Sequence, residues 1–137
     1  TIDSCDMIII HDGARPLVTE KEILNTLCSA EKYGAAATGV PVKDTIKVID
    51  NNNKIVDTPK RSSLIAIQTP QIFTFNKYVE AMNCAKMQGE DFTDDCKLLE
   101  NINEDVYVVI GDYSNIKITT PDDIPLAESI LKLRGEK

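Results

Sequence analysis

Three short segments hold the residue types that could do chemistry. The first is His11-Asp12-Gly13-Ala14-Arg15-Pro16, directly after an aliphatic run. A carboxylate at the carboxyl end of a strand faces the crevice of an open sheet and can hold a divalent metal that bridges phosphates. Gly13 permits close backbone approach. The planar fork of Arg15 suits phosphate. The plainer alternative is an Asp-Gly turn with a surface arginine. His11 could serve as a base, but a histidine at a strand end is more often simply hydrogen-bonded.

The second segment is 41–71. Its window 41–61 holds five cations (Lys43, Lys47, Lys54, Lys60, Arg61) against three acids, or +2, whereas 90–105 holds seven acids and one lysine, or −6. This asymmetry suggests that 41–61 faces something anionic. The alternative is a solvated hairpin whose lysines guard its edges, and for the lysines that is the preferred reading. Arg61 and Thr69 stand apart, because Thr69-Pro70-Gln71 ends an apolar run where a crevice would open. In the third segment, 114–123, Lys117 alternates with Ile116 and Ile118 and so points away from them. A lysine in an inner strand is costly to bury unless it meets an anion, and beside a phosphate it would stabilise developing charge. An edge strand with Lys117 in water is the alternative.

The elements that must position these residues follow from patterning. Residues 6–11 read as a buried strand. Thr19 opens a helix to about residue 33, with Glu22 at capping-box spacing. Ile23, Leu24, Leu27 and Ala30 form its apolar face, and Gly34 is its stop. Residues 35–42 read as a second inner strand, and the strand–helix–strand order favours a parallel sheet. Residues 43–49 and 54–56 read as a hairpin around 50–53. Residues 64–69 read as a strand stopped by Pro70. Thr74 caps a helix to about residue 88, and Thr93 a shorter one over 94–100. Residues 105–110 and 115–119 read as strands, with Tyr107 in the core and Tyr113 on the rim. A last helix begins at Thr120-Pro121 and runs to about residue 134, with Pro125 in its first turn.

Composition bounds the alternatives. The chain has 137 residues, one domain's worth, and a net charge of −7 from 15 Lys and Arg against 22 Asp and Glu, which argues against a general nucleic-acid binder. No apolar run approaches the roughly 20 residues of a membrane-spanning helix, and no signal peptide is evident. The four cysteines (Cys5, Cys28, Cys84, Cys96) make no C-x-x-C pair and only one histidine is present, so neither a zinc site nor a disulfide framework is expected. Reduced thiols in a cytoplasmic protein are. The six glycines are scattered, with no Gly-rich phosphate cradle.

H-D-G-A-R-P at 11–16, V-P-V-K-D-T at 40–45, T-P-K-R at 58–61, Q-T-P-Q at 68–71, T-D-D at 93–95 and N-I-K-I-T-T-P-D-D at 115–123 occur in order. As a set they closely resemble the 2-C-methyl-D-erythritol 4-phosphate cytidylyltransferases of non-mevalonate isoprenoid biosynthesis, over essentially the whole chain. The resemblance implies an α/β nucleotidyltransferase-like, Rossmann-type, mostly parallel sheet with an inserted hairpin arm at 41–70. It also implies a homodimer formed through that arm and a Mg²⁺-dependent transfer of the cytidylyl group from CTP to methylerythritol phosphate. By motif position, Asp12 would sit at the nucleotide and metal site and touch the acceptor. Gly13 would approach the nucleotide, and Arg15, Thr45 and Thr69 would line the acceptor pocket. Arg61 would reach the acceptor phosphate from the neighbouring subunit, and Lys117 would position the attacking phosphate beside the α-phosphate.

The family's amino-terminal strand and Gly-rich loop have no counterpart in the sequence. Residues 1–137 therefore read as the carboxyl-terminal part of a single, incomplete cytidylyltransferase domain, expected to be inactive alone and to self-associate through uncovered edges. Two other readings remain: a ribitol 5-phosphate cytidylyltransferase, and a non-catalytic association or ligand-binding domain.

Overall fold

The computed structural model describes residues 5–89, 92 and 94–135. Its main sheet has four strands in the order β1-β5-β2-β6, where β1 is Met7–Ile10, β2 Ala35–Pro41, β5 Ile65–Thr74 and β6 Tyr107–Ile110. β6 runs parallel to β2, and both β1 and β2 run antiparallel to β5. Three strands therefore share one direction, and β5 opposes them from between β1 and β2. The carboxyl ends of β1, β2 and β6 lie at one edge, where ligands of open α/β sheets sit.

Side-chain alternation divides two cores between the two faces. On one face Ala35, Ala37 and Phe73 pack with Ala81 and Ala85 of helix α2 (Phe75–Gln88) and with Cys96, Leu98 and Leu99 of helix α3 (Asp95–Asn101). On the other, Ala36 and Ile72 pack with Ala30 of helix α1 (Glu20–Tyr33). Thr19 and Glu22 form the expected capping box, and Gly34 adopts φ 91° at the α1 stop, as Gly89 does at φ 68° after α2.

Several expectations are corrected. Pro70 does not stop its strand: β5 continues through a cis Thr69–Pro70 bond to Thr74, because its second half is the part that pairs with both β1 and the start of β2. Residues 115–119 form no strand. Their path is fixed by isolated bonds, including the Ile118 amide to the Ala14 carbonyl at 2.7 Å. β1 is not buried, since it pairs on one side only and Ile9 is 49% exposed.

Leu24 lies outside the apolar face of α1, whose inward positions are Glu22, Thr26 and Ala30. Tyr107 is half-exposed and stacks on Tyr33 with ring centroids 4.0 Å apart. Thr74 occupies the N-cap position of α2 as expected, but its hydroxyl donates to the Gly34 carbonyl at 3.0 Å and accepts no α2 amide. Thr93 lies outside the described residues, and Asp94 is the cap of α3, accepting the Lys97 amide at 3.0 Å. The last helix, α4, spans Asp123–Arg134 and begins after Thr120. The Asp123 carboxylate there turns back to take the Thr119 and Thr120 amides, each at 2.8 Å.

The hairpin arm is a separate two-stranded sheet of β3 (Val48–Ile49) and β4 (Ile55–Asp57). Its turn is held by the Asp50 carboxylate, which accepts the Asn52 and Lys54 amides at 2.8 and 3.0 Å. At its base the Tyr113 hydroxyl donates to the Pro41 carbonyl at 2.6 Å, and Lys43 Nζ sits 3.6 Å from the centre of the Tyr113 ring.

Candidate active site

Beyond the end of β1 the chain turns at once: the Arg15 amide closes on the Asp12 carbonyl at 2.9 Å. The Asp12 amide donates to Thr69 Oγ1 on β5 at 3.0 Å. The turn is thereby tied to the strand that lies beside β1.

A fully buried asparagine brings in the third segment. Asn115 Nδ2 donates to the Thr69 carbonyl at 2.9 Å. The Asn115 carbonyl accepts Arg15 Nη1 at 2.7 Å and Gln68 Nε2 at 3.3 Å. Gln68 Nε2 also reaches the Asp112 carbonyl at 3.0 Å. Gly111 leaves the room for this, since a Cβ there would overlap Thr38 and stand 2.8 Å from Gln68 Oε1. Downstream, the amides of Thr119 and Thr120 hold the Asp123 carboxyl below its ordinary range. The Ser114 amide and hydroxyl, ahead of Arg134, do the same for Asp112.

Lys117 is thus delivered to Asp12, with Nζ 3.0 Å from Oδ2. Arg15 Nε lies 3.5 Å from the same oxygen. These side chains line a cleft of about 270 Å³ together with Gln68, Thr69 and two carboxylates at the start of α3, Asp94 and Asp95. A space of this size suits one small ligand, below the usual range for drug-sized molecules. Its two donor-only cations can take phosphate oxygens, and its carboxylates can take hydroxyls or a metal.

Asp12, Arg15, Thr69 and Lys117 are brought together as expected. Gly13 lies in the turn, with open space where a Cβ would stand. Thr45 and Arg61 do not reach the cleft of their own chain. Thr45 is exposed on the arm. Arg61 begins a single 3₁₀ turn (Arg61–Ser63), donates from Nη1 to the Lys43 carbonyl at 2.9 Å, and lines a separate basic groove with Lys43 and Lys60. Gln68, Asn115, Asp94 and Asp95 join the cleft or its support without being expected there from their own segments. The available signal was the cluster Gln68-Thr69-Gln71, three polar residues in the middle of a largely apolar strand.

The fold and this cleft define a nucleotidyltransferase-like α/β domain, with its cleft at the carboxyl end of the strands and two cations set around one aspartate. The family model described as 2-C-methyl-D-erythritol 4-phosphate cytidylyltransferase (IspD) matches residues 2–133, and the chain belongs to that family. It is 52% identical over 128 residues to the enzyme of that name from Caldanaerobacter subterraneus subsp. tengcongensis, covering 93% of this chain and 56% of the relative. It is 45% identical over 132 residues to the one from Alkaliphilus oremlandii, covering 96% and 56%. Among solved structures, 4-diphosphocytidyl-2C-methyl-D-erythritol synthase from Anaerococcus prevotii superposes with a TM-score of 0.86 at 37% identity, covering 93% of this chain and 59% of that one. The cytidylyltransferase from Thermus thermophilus gives 0.84 at 31%, covering 94% and 63%. The chain thus spans a little over half the length of the relatives it matches. Among the described residues, no helix is long and apolar enough to cross a membrane.

Proposed function

We propose that the full-length protein carrying this chain transfers the cytidylyl group of CTP to 2-C-methyl-D-erythritol 4-phosphate, and that the 137-residue chain alone does not. The observation that carries this reading is the convergence of Lys117 and Arg15 on Asp12 in a cleft sized for one small ligand. In-line transfer at phosphorus needs positioned charge more than a proton-transfer pair. An acceptor phosphate oxygen attacks the α-phosphorus, the bond to the β-phosphate oxygen breaks, and pyrophosphate leaves. Arg15, Thr69 and Asp12 hold the acceptor. Lys117 exchanges its ion pair with Asp12 for the phosphate oxygens and stabilises the charge that grows on them. Gly13 leaves the turn open to the nucleotide.

Among the described residues, no group of three or more His, Cys, Asp or Glu side chains is arranged to hold a metal. The donor set suits Mg²⁺, which takes one or two carboxylates and completes its shell with phosphate oxygens and water. Both ion pairs of Asp12 fall on Oδ2, which leaves Oδ1 clear of them. Asp12 would hold Mg²⁺ there, and the ion would supply positive charge to offset that of the phosphates.

The arm supports a homodimer. Val48, Ile49, Ile55 and Val56 are all exposed, and a lone two-stranded hairpin is marginal without a covering partner. A second copy would cover the arm and bring Thr45 and Arg61 to the neighbouring acceptor pocket. The protein is then a cytoplasmic dimer whose partners are its two substrates and not nucleic acid.

The test is pyrophosphate release by the full-length protein with CTP and Mg²⁺, using methylerythritol phosphate and ribitol 5-phosphate as rival acceptors. Turnover with the first is expected. Turnover with the second alone would reassign the acceptor, no turnover with either would favour a binding module, and turnover by residues 1–137 alone would overturn the expected inactivity.

A further inference from the structure

The hydrogen bonds around His11 have a fixed direction. His11 Nε2 lies 3.0 Å from the Arg15 carbonyl. A carbonyl only accepts, so Nε2 carries the proton of the neutral ring. Nδ1 is then an acceptor, and it lies 2.9 Å from Thr69 Oγ1. The Thr69 hydroxyl in turn accepts the Asp12 amide at 3.0 Å. Its single proton is committed to His11, and it retains one lone pair. The same bonds leave His11 without a free basic nitrogen, since Nδ1 accepts the Thr69 hydroxyl and Nε2 is already protonated.

We propose that His11 is a positioning residue that makes Thr69 an acceptor only, so that Thr69 meets a hydroxyl of a bound polyol phosphate and not one of its phosphate oxygens. The identity of the ligand rests on the function proposed above, whereas the direction of the His11–Thr69 bond does not. The cleft divides accordingly. Thr69 and Asp12 accept from the polyol, and Arg15 and Lys117, which can only donate, take the phosphate. A site built to bond a substrate hydroxyl discriminates strongly against an analogue that lacks it.

Two measurements on the full-length protein decide this. The first is a two-bond ¹H–¹⁵N correlation spectrum at a pH where the ring has stopped titrating, with the His11→Asn variant identifying the resonance. The Nε2–H tautomer is expected, and the Nδ1–H tautomer would overturn the proposal. The second is kinetics. In His11→Gln the amide nitrogen stands near Nε2, keeping the Arg15 contact but removing the partner of Thr69. In His11→Asn the amide oxygen stands near Nδ1 and supplies that partner again. His11→Gln should raise KM for the polyol phosphate about tenfold, with kcat and KM for CTP within about twofold, and His11→Asn should recover most of the loss. An unchanged acceptor KM in His11→Gln, or equal losses in both variants with a lowered Tm, would overturn the proposal. If the wild-type protein turns over no polyol phosphate, the function proposed above fails, and the tautomer still decides the His11–Thr69 bond.

Discussion

Lys117 Nζ and Asp12 Oδ2 lie 3.0 Å apart across 105 positions of sequence, with 47% and 35% of their side chains exposed. An ion pair this open contributes under about 1 kcal/mol to stability. In the proposed reaction the pair places a cation over the cleft, ready to exchange a carboxylate for a phosphate.

Lys117→Ala should therefore separate activity from folding. Removing a cation that acts on developing phosphate charge is expected to lower kcat by about a hundredfold or more, with Tm shifted by no more than a few degrees. Steady-state pyrophosphate release and a thermal melt on the same preparation test this. A large fall in Tm would move the role of Lys117 from chemistry to structure.

Arg61 calls for a mixing experiment. Its guanidinium turns to the Lys43 carbonyl at 2.9 Å, away from the cleft of its own chain. If it serves the partner's cleft, Arg61→Ala and Lys117→Ala homodimers are each impaired. A heterodimer of the two then contains one site with an intact Lys117 and an intact Arg61. Random exchange of subunits should restore about a quarter of wild-type activity. No recovery, after subunit exchange has been verified by mass, would place Arg61 in its own chain's chemistry or outside it.

The parts of the fold legible in sequence are those set by local physics. The Thr19–Glu22 capping box, the glycine stops of α1 and α2, the Asp50 turn and the apolar run of β2 all depend on neighbours within a few residues. What escaped depends on distant partners. A proline inside an apolar run reads as a stop, yet β5 continues because residues 34 to 67 positions away pair with its second half on both sides. Alternation at 115–119 reads as a strand, yet the segment is threaded by the Asn115 side chain and the Ala14 carbonyl. In the site, Asp12, Arg15, Thr69 and Lys117 were legible because each had a chemical type and a motif. Gln68 and Asn115 were not. A polar residue in an apolar strand or a motif marks a position, but the work of a buried amide shows only once the carbonyls it serves, 44 to 47 residues away, are known.

Alkali should weaken the fold through Cys96. Burial first, and then the carboxylates of Asp94, Glu100 and Asp95, push this thiol from 9.0 up to about 12. The neutral form is also held by the Gln71 side chain, whose Oε1 accepts the Cys96 thiol at 3.2 Å and its amide at 3.1 Å. Below about pH 9 the thiol is protonated in both folded and unfolded chains, and the contribution is fully present. As pH rises from 9 toward 12 the unfolded chain releases the proton first, so stability falls. Tyr78 adds to the slope from pH 10, because burial and then its bond to Asp95 raise it from 10.0 to about 12. The urea midpoint should therefore drop between pH 9 and 11, and the drop should be shallower in Cys96→Ala, whatever that variant loses at neutral pH. Equal slopes in variant and wild type would show that Cys96 ionises as readily in the folded protein as in the unfolded one.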